Sequence, residues 1–338
     1  MSGKFFEDVN ADLDEIARRL ASPDAAERRV AVLDLVEAAE PGSERLLIAA
    51  LSDPDANVRR EAAKGLDQFD GLATAQALAA ALLDTDGSVA DTAAQSLAEL
   101  KSQEAAPPLL ALIDHERAEV RLSAWRGLRN LRVEASLAPG LKALFDEDPR
   151  VRREAVGVLA YLKSDATLPA LIAAARDENF EVRRAAISAL AFGPPEKITA
   201  TILAGLSDAN WQVREAAALL AGKIKAAGAT TGLIAALSDD AWQVSGKAAL
   251  ALGKLQVTEA VAALGKLLAH PVSNLRKDVV TGLGDIGHVD ALPFLEQAAE
   301  DPDPDVRKIA RWSIQRILSA NGGNDDRDFW SKRGQDRK

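Results

Sequence analysis

One spacing governs this chain. A valine followed by arginine returns every 31 residues, with alanine four residues after the valine and leucine eight after it. The anchors are Val58-Arg59, Val89-Ala90, Val120-Arg121, Val151-Arg152, Val182-Arg183, Val213-Arg214, Val244-Ser245, Leu275-Arg276 and Val306-Arg307. Stepping back 31 from Val58 reaches Glu27-Arg28, a polar version that suits a terminal unit. Ten units follow with no insertion or deletion between anchors. A chain with this register repeats one supersecondary piece, and each piece buries its apolar stripe only by stacking on its neighbours.

Each unit reads as two helices. The fourth position after the anchor is Ala31, Ala62, Ala93, Ala124, Ala155, Ala186, Ala217, Ala248, Val279 and Ala310. The eighth is Leu35, Leu66, Leu97, Leu128, Leu159, Leu190, Ala221, Leu252, Leu283 and Ile314. Positions 0, 4 and 8 fall within about 80° of one another on a helix and form one buried stripe. That stripe marks the second helix of each unit. First helices lie upstream, for example over Leu72–Leu83, Thr167–Ala175 and Asp290–Ala299, with Pro108, Pro139, Pro169 and Pro293 near their starts, where proline loses no intrahelical bond. Asp53, Asp84, Asp114, Asp146, Asp177, Asp208, Asp239 and Asp301 fall in the turns between helices, where several are expected to cap the second helix.

The unit "LSDPDANVRREAAKGL", Leu51–Leu66, resembles a HEAT-type repeat, and the 31-residue period resembles the short HEAT-like repeats of phycobilisome bilin lyases and many bacterial proteins. The resemblance runs from about Asp12 to Ala320. It implies an all-α, right-handed α-solenoid of about ten two-helix repeats, first helices outside and second helices lining a concave groove. Residues 1–320 then form one continuous solenoid, with Met1–Ala11, including Phe5 and Phe6, as a capping segment. Residues 321–338 read as a flexible tail carrying Asp328-Phe329-Trp330, either a docking motif or a segment folded on the last repeat.

Composition narrows the function. Net charge is −10 and the pI is about 5.0, which argues against nucleic acid as a partner. There is no cysteine, so disulfides, thiolate metal sites and a cysteine nucleophile are excluded. No apolar run is long enough for a membrane span, and no targeting segment stands out, so a cytoplasmic protein is expected. HEAT-like deoxyhypusine hydroxylases hold two irons through several His-Glu pairs; here there is one, His115-Glu116, beside His270 and His288. No metal site or resident cofactor is implied.

The arginine after each anchor recurs too regularly for a ligand site and is expected to bond the turn aspartate or carbonyls of adjacent units. Ala90 and Ser245 interrupt this ladder, which suggests looser joints. Positions 2, 6 and 9 point away from the core, near about 200°, 240° and 180°. There the chain places Arg29, Arg60, Lys64, Arg126, Arg129, Arg153 and Arg184, a basic wall across repeats one to six despite Asp67 and Asp91. Repeats seven and eight instead carry Glu215, Leu219, Gly222, Gly246, Leu250 and Gly253, an apolar stretch of little bulk. Lys277, Lys308 and Trp312 follow. Phe180, Trp211 and Trp242 each precede an anchor by two residues and form a row, either a partner-binding strip or a cover over the joints. Trp125 reads as packing.

The reading that follows is a non-catalytic scaffold, adaptor or maturation factor. Its groove would hold an acidic or amphipathic protein segment through Arg60, Lys64, Arg126, Arg129, Arg153, Arg184, Phe180, Trp211, Leu219, Trp242, Leu250 and Trp312. The resemblance leaves two alternatives. One is a bilin lyase or chromophore chaperone taking an open-chain tetrapyrrole. The other is a HEAT-like DNA glycosylase.

Overall fold

The computed structural model describes residues 13–320, so the expected cap over Met1–Ala11 and the tail over 321–338 lie outside the described residues. The described residues contain helices and turns but no strand. Two units divide the chain, Met1–Thr167 and Leu168–Lys338. In the first, the first helices run over 13–19, Pro41–Ala50, Leu72–Ala81, Ala106–Leu110 and Leu137–Ala143. They alternate with second helices at Ala25–Ala38, Ala56–Gly65, Gly87–Glu99, Ala118–Leu131 and Pro149–Leu162. In the second unit the pairs are Leu168–Ala174 with Phe180–Ala189, Pro195–Leu206 with Trp211–Lys223, and Thr230–Ala236 with Trp242–Lys254. Val261–Lys266 with Ser273–Ile286, and Leu292–Ala298 with Pro304–Ala320, complete it. Several first helices are shorter than expected because 3-10 turns such as Asp165–Thr167 and Val289–Ala291 occupy their starts. Pro108, Pro139, Pro169 and Pro293 all fall in first turns.

The stripe read from the period is the core. Every fourth-position and eighth-position side chain named above is 0% exposed, and the valine and leucine anchors from Val58 onward are at most 2% exposed. Glu27, the polar variant, is exposed. Each fully buried valine or leucine contributes roughly 1.5–3 kcal/mol. Because the small fourth residue leaves room, the next helix approaches closely and the stripe is covered on both sides.

The arginine ladder is a structural clamp. Arg59 donates from Nε to Asp84 Oδ2 at 2.7 Å and from Nη2 to Oδ1 at 2.8 Å. Its Nη1 donates to the carbonyls of Asp53 and Pro54, in the turn of its own hairpin, at 2.9 and 3.2 Å. One guanidinium therefore ties two successive turns with four hydrogen bonds, two of them a bidentate ion pair. Arg28–Asp53 and Arg121–Asp146 repeat this in the first unit. Arg183–Asp208, Arg214–Asp239 and Arg276–Asp301 repeat it in the second. Hydrogen bonds from Arg28, Arg59 and Arg276 hold the Asp53, Asp84 and Asp301 carboxyls below their usual range. Burial works the other way at Asp208 and Asp239, but the arginine and a backbone amide outweigh it.

The geometry corrects three expectations. The clamp aspartates do not cap the second helices; Asp53 Oδ1 accepts from the Asp55 amide at 2.8 Å and orders the turn. The cap is the residue two further on: Asp55, Asp86, Asp148, Asn179 or Asn210 accepts from the first amides. Asp114 is out of register, since the clamp partner always lies 25 residues after its arginine. It pairs at the surface with Lys142 Nζ at 3.0 Å. The register position is His115, 25 after Ala90, and His270 stands 25 after Ser245. Where arginine is missing, histidine replaces the aspartate, and its Nδ1 accepts the amide of Arg117 or Val272 at 3.1 Å, as the aspartate oxygen does elsewhere.

Nor are these two joints loose. At the joint between repeats eight and nine, a methyl group built on Gly282 would lie 2.5 Å from the Ala249 carbonyl oxygen, and one on Gly253 would lie 2.8 Å from Gly282 Cα. Backbone contact holds the helices where the clamp is absent. At the joint between repeats three and four, Asn130 Nδ2 donates to the Ala98 carbonyl at 3.0 Å. Restoring the clamp with Ala90→Arg and His115→Asp together is expected to show favourable coupling of about 1–2 kcal/mol. A double-mutant cycle in urea checks this, and additive effects would contradict it.

Candidate partner-binding site

The exposed faces of the second helices carry the residues singled out from the sequence, and in the first unit their charges are largely answered. Glu154 is buried, and three guanidiniums converge on it: Arg126 Nε at 3.3 Å, Arg129 Nη1 at 3.2 Å and Arg153 Nη2 at 3.1 Å. The Arg126 and Arg129 side chains remain 43% and 41% exposed. Arg126 and Arg129 share this one buried negative charge, so a positive excess at that pair faces solvent. In repeat two, Glu61 acts in a similar way, bonding Arg29 at 2.8 Å and lying 3.6 Å from Arg60. Both glutamates sit three positions after the anchor. The outward face read from the sequence comprises positions 2, 6 and 9 alone and leaves these acids out. Position 3, about 300° round the helix, borders the neighbouring second helix, and that angle is the signal that could have found them.

A depression of about 750 Å³ lies between the second helices of repeats two and three. Arg60, Lys64 and Lys101 line it, but so do Glu61, Asp67 and Glu99. Cations and carboxylates balance there, so the wall is not uniformly basic. Its positive excess lies at Arg126 and Arg129.

In the second unit Arg184 is half-buried and Leu219 is 51% exposed; Leu250 is half-buried. The small residues between them do not line a groove. Gly222, Gly246 and Gly253 are buried, and a methyl on Gly222 would meet Ala251 Cα at 2.8 Å. A methyl on Gly246 would lie 2.6 Å from Asp278 Oδ2. Glycine allows the neighbouring helix in, and the helix occupies the space that sequence spacing alone leaves open. Burial pushes the Asp278 carboxyl above its usual range, with Lys247 at 3.7 Å opposing the shift.

Phe180, Trp211 and Trp242 open three successive second helices. Trp211 is 37% exposed; the other two rings are half-buried. Eight residues separate Trp211 from Leu219, so the ring row starts about 12 Å along the helix from the exposed leucine. Trp312 is exposed, and the Arg316 guanidinium lies over its ring at 4.5 Å. Arg316 also bonds the Gly284 carbonyl and Asp285. Lys277 pairs with Asp303 and Asp305. Trp125 is 1% exposed and packs by Gly140, as core.

His115, His270 and His288 each accept the amide two residues on through Nδ1. No group of three or more histidines and carboxylates able to hold a metal ion occurs among the described residues. None of the described helices is long and apolar enough to cross a membrane.

The sequence family of HEAT repeats matches residues 13–98, 78–145, 137–199 and 230–315. No curated protein matches the chain. Among solved structures, the chain is similar to one in the structure describing Kap95p binding to RanGDP, at 14% identity and a TM-score of 0.61. That match covers 90% of this chain and 50% of the other, so the present chain spans half its length. It is also similar to an engineered protein at 24% identity, covering 90% of this chain and 98% of that one, with a TM-score of 0.49.

Proposed function

Since this chain belongs to the HEAT-repeat family, we propose that it is a non-catalytic protein-binding scaffold, adaptor or maturation factor that holds an acidic or amphipathic protein segment against its second helices. The observation that carries this reading is the pair Arg126 and Arg129, both bonded to the buried Glu154 and both exposed on their other side. The buried carboxylate pins these two guanidiniums on one side, so their outward N–H groups are held in place for a second carboxylate. Pinned arginines lose less side-chain entropy on binding than free lysines do. The second unit by itself carries exposed Trp211, Leu219 and Trp312 with half-buried Phe180, Arg184, Trp242 and Leu250, side chains that suit an amphipathic segment on that unit. The similar chain from the structure of Kap95p binding to RanGDP supports protein binding as one use of such a fold.

The test is affinity capture from the cells that make the protein, followed by titration of the captured protein. A stoichiometric protein with an acidic segment is expected. Its affinity should fall with added salt and drop about tenfold in Arg126→Gln/Arg129→Gln. Unchanged affinity in that variant, with unfolding like wild type, would refute the arginine cluster as the site. Uptake of a visible chromophore with tryptophan quenching, and no protein captured, would favour a tetrapyrrole ligand instead.

A further inference from the structure

The turn edge of the first unit carries apolar side chains that its architecture does not require. Six residues before the anchor, each hairpin places one residue in the turn between its helices. At most repeats this residue is small or polar, as at Ser52 and Ser207. In two it is large and apolar: Leu83, 45% exposed, and Phe145, 87% exposed. No core needs either ring or branch, since the stripe at positions 0, 4 and 8 is already sealed. The backbone that carries Phe145 is fixed. Its amide bonds the Lys142 carbonyl at 3.1 Å, and the next residue, Asp146, is fixed by the Arg121 fork. An exposed aromatic on a fixed turn is the usual chemistry of an interface anchor.

Two repeat steps separate Leu83 from Phe145. At helix-packing distances that is about 20 Å, the span of six residues in extended conformation. Between and beside them stand the exposed carboxylates of Asp114, Glu116 and Glu147, with Lys142 drawn onto Asp114 and Arg121 reaching Glu147 at 3.2 Å. The rim is acidic. We propose that this edge of the unit Met1–Thr167 is a second docking site, separate from the arginine cluster. Its occupant is a basic protein segment that extends across the turns and sets two apolar side chains, six residues apart, on Leu83 and Phe145.

A labelled lysine-rich peptide of about 12 residues, with leucines six apart, is titrated with the full chain and followed by fluorescence anisotropy. Saturable binding is expected, weakened about tenfold by Phe145→Ser and by Leu83→Ser. The thermal transition of Phe145→Ser should match wild type, because so exposed a ring contributes little to folding. A peptide with leucines three apart, or with glutamate in place of lysine, should bind about tenfold more weakly. No binding by wild type, wild-type affinity in Phe145→Ser, or equal binding of the respaced peptide would each overturn the proposal. Loss of peptide binding in Arg126→Gln/Arg129→Gln would also overturn it, by placing the basic peptide elsewhere.

Discussion

Gly282→Ala is expected to destabilise the unit Leu168–Lys338 by about 2 kcal/mol, although alanine is the better helix former. Two effects compete. Replacing a glycine inside Ser273–Ile286 gains up to about 1 kcal/mol of helix propensity. The added methyl group, however, would sit 2.5 Å from the Ala249 carbonyl oxygen and 3.0 Å from its carbonyl carbon. That obstacle is helical backbone, which cannot rotate aside as a flexible side chain can. The helices must separate, and the cost of such overpacking reaches about 3 kcal/mol. Separation also loosens Gly253 against Gly282, so the effect spreads along the joint. Gly87→Ala is the control: nothing lies within 4 Å of its methyl position, and its urea midpoint should stay at or slightly above wild type. Gly282→Ala with wild-type or greater stability would disprove backbone contact at this joint.

Removing one clamp should cost still more. In Arg276→Ala, Asp301 loses both arms of the fork, and the His270 and Pro271 carbonyls lose the donor they share. The Arg276 and Asp301 side chains are only 11% and 7% exposed, so water replaces the arginine poorly. A loss of about 3 kcal/mol is expected, the scale for stranding one partner of a buried pair. Lys142→Ala removes a superficially similar pair with Asp114. Both of those side chains are more than 70% exposed, and the change should stay within about 0.5 kcal/mol.

Acid reports on the same clamp. The Arg276 hydrogen bonds lower the folded-state pKa of Asp301 below its unfolded value, near about 3.9. The linked stability is therefore fully present above that value and lost as pH falls through the lowered folded value. Wild type should lose stability steeply below about pH 4, and Arg276→Ala should lose less over that range. Urea unfolding between neutral pH and about pH 2 measures both. A constant difference between the two proteins across that range would rule out the clamp as the source.

Periodicity makes the fold readable because a helix period and a 31-residue register are local properties. Counting alone places Ala31 through Ala310, and Leu35 through Ile314, in a common stripe, and every one is buried. The turn aspartates are also visible in the sequence, but their partners are not. Asp53 is bonded by Arg28, 25 residues earlier, and only stacking reveals that distance as a contact. His115 and His270, replacing aspartate opposite Ala90 and Ser245, follow from the same count once the pairing is known. The candidate site is less legible. Arginines at positions 2, 6 and 9 stand out, while Glu154 does not, because its helix face borders another helix.

The amino-acid order alone determined that this chain repeats a helical hairpin, which side chains of each hairpin are apolar, and where the repeats begin. It could do so because those features depend on neighbours within one turn or one period. Tertiary structure alone decided which charges neutralise one another and which small residues lie under a neighbouring helix. Both depend on the distance between helices, which is set by packing of residues far apart in the chain. Gly222 and Gly253 look like open space in the sequence and are backbone contact in the fold. Arg126 and Arg129 look like free charge and are pinned on Glu154.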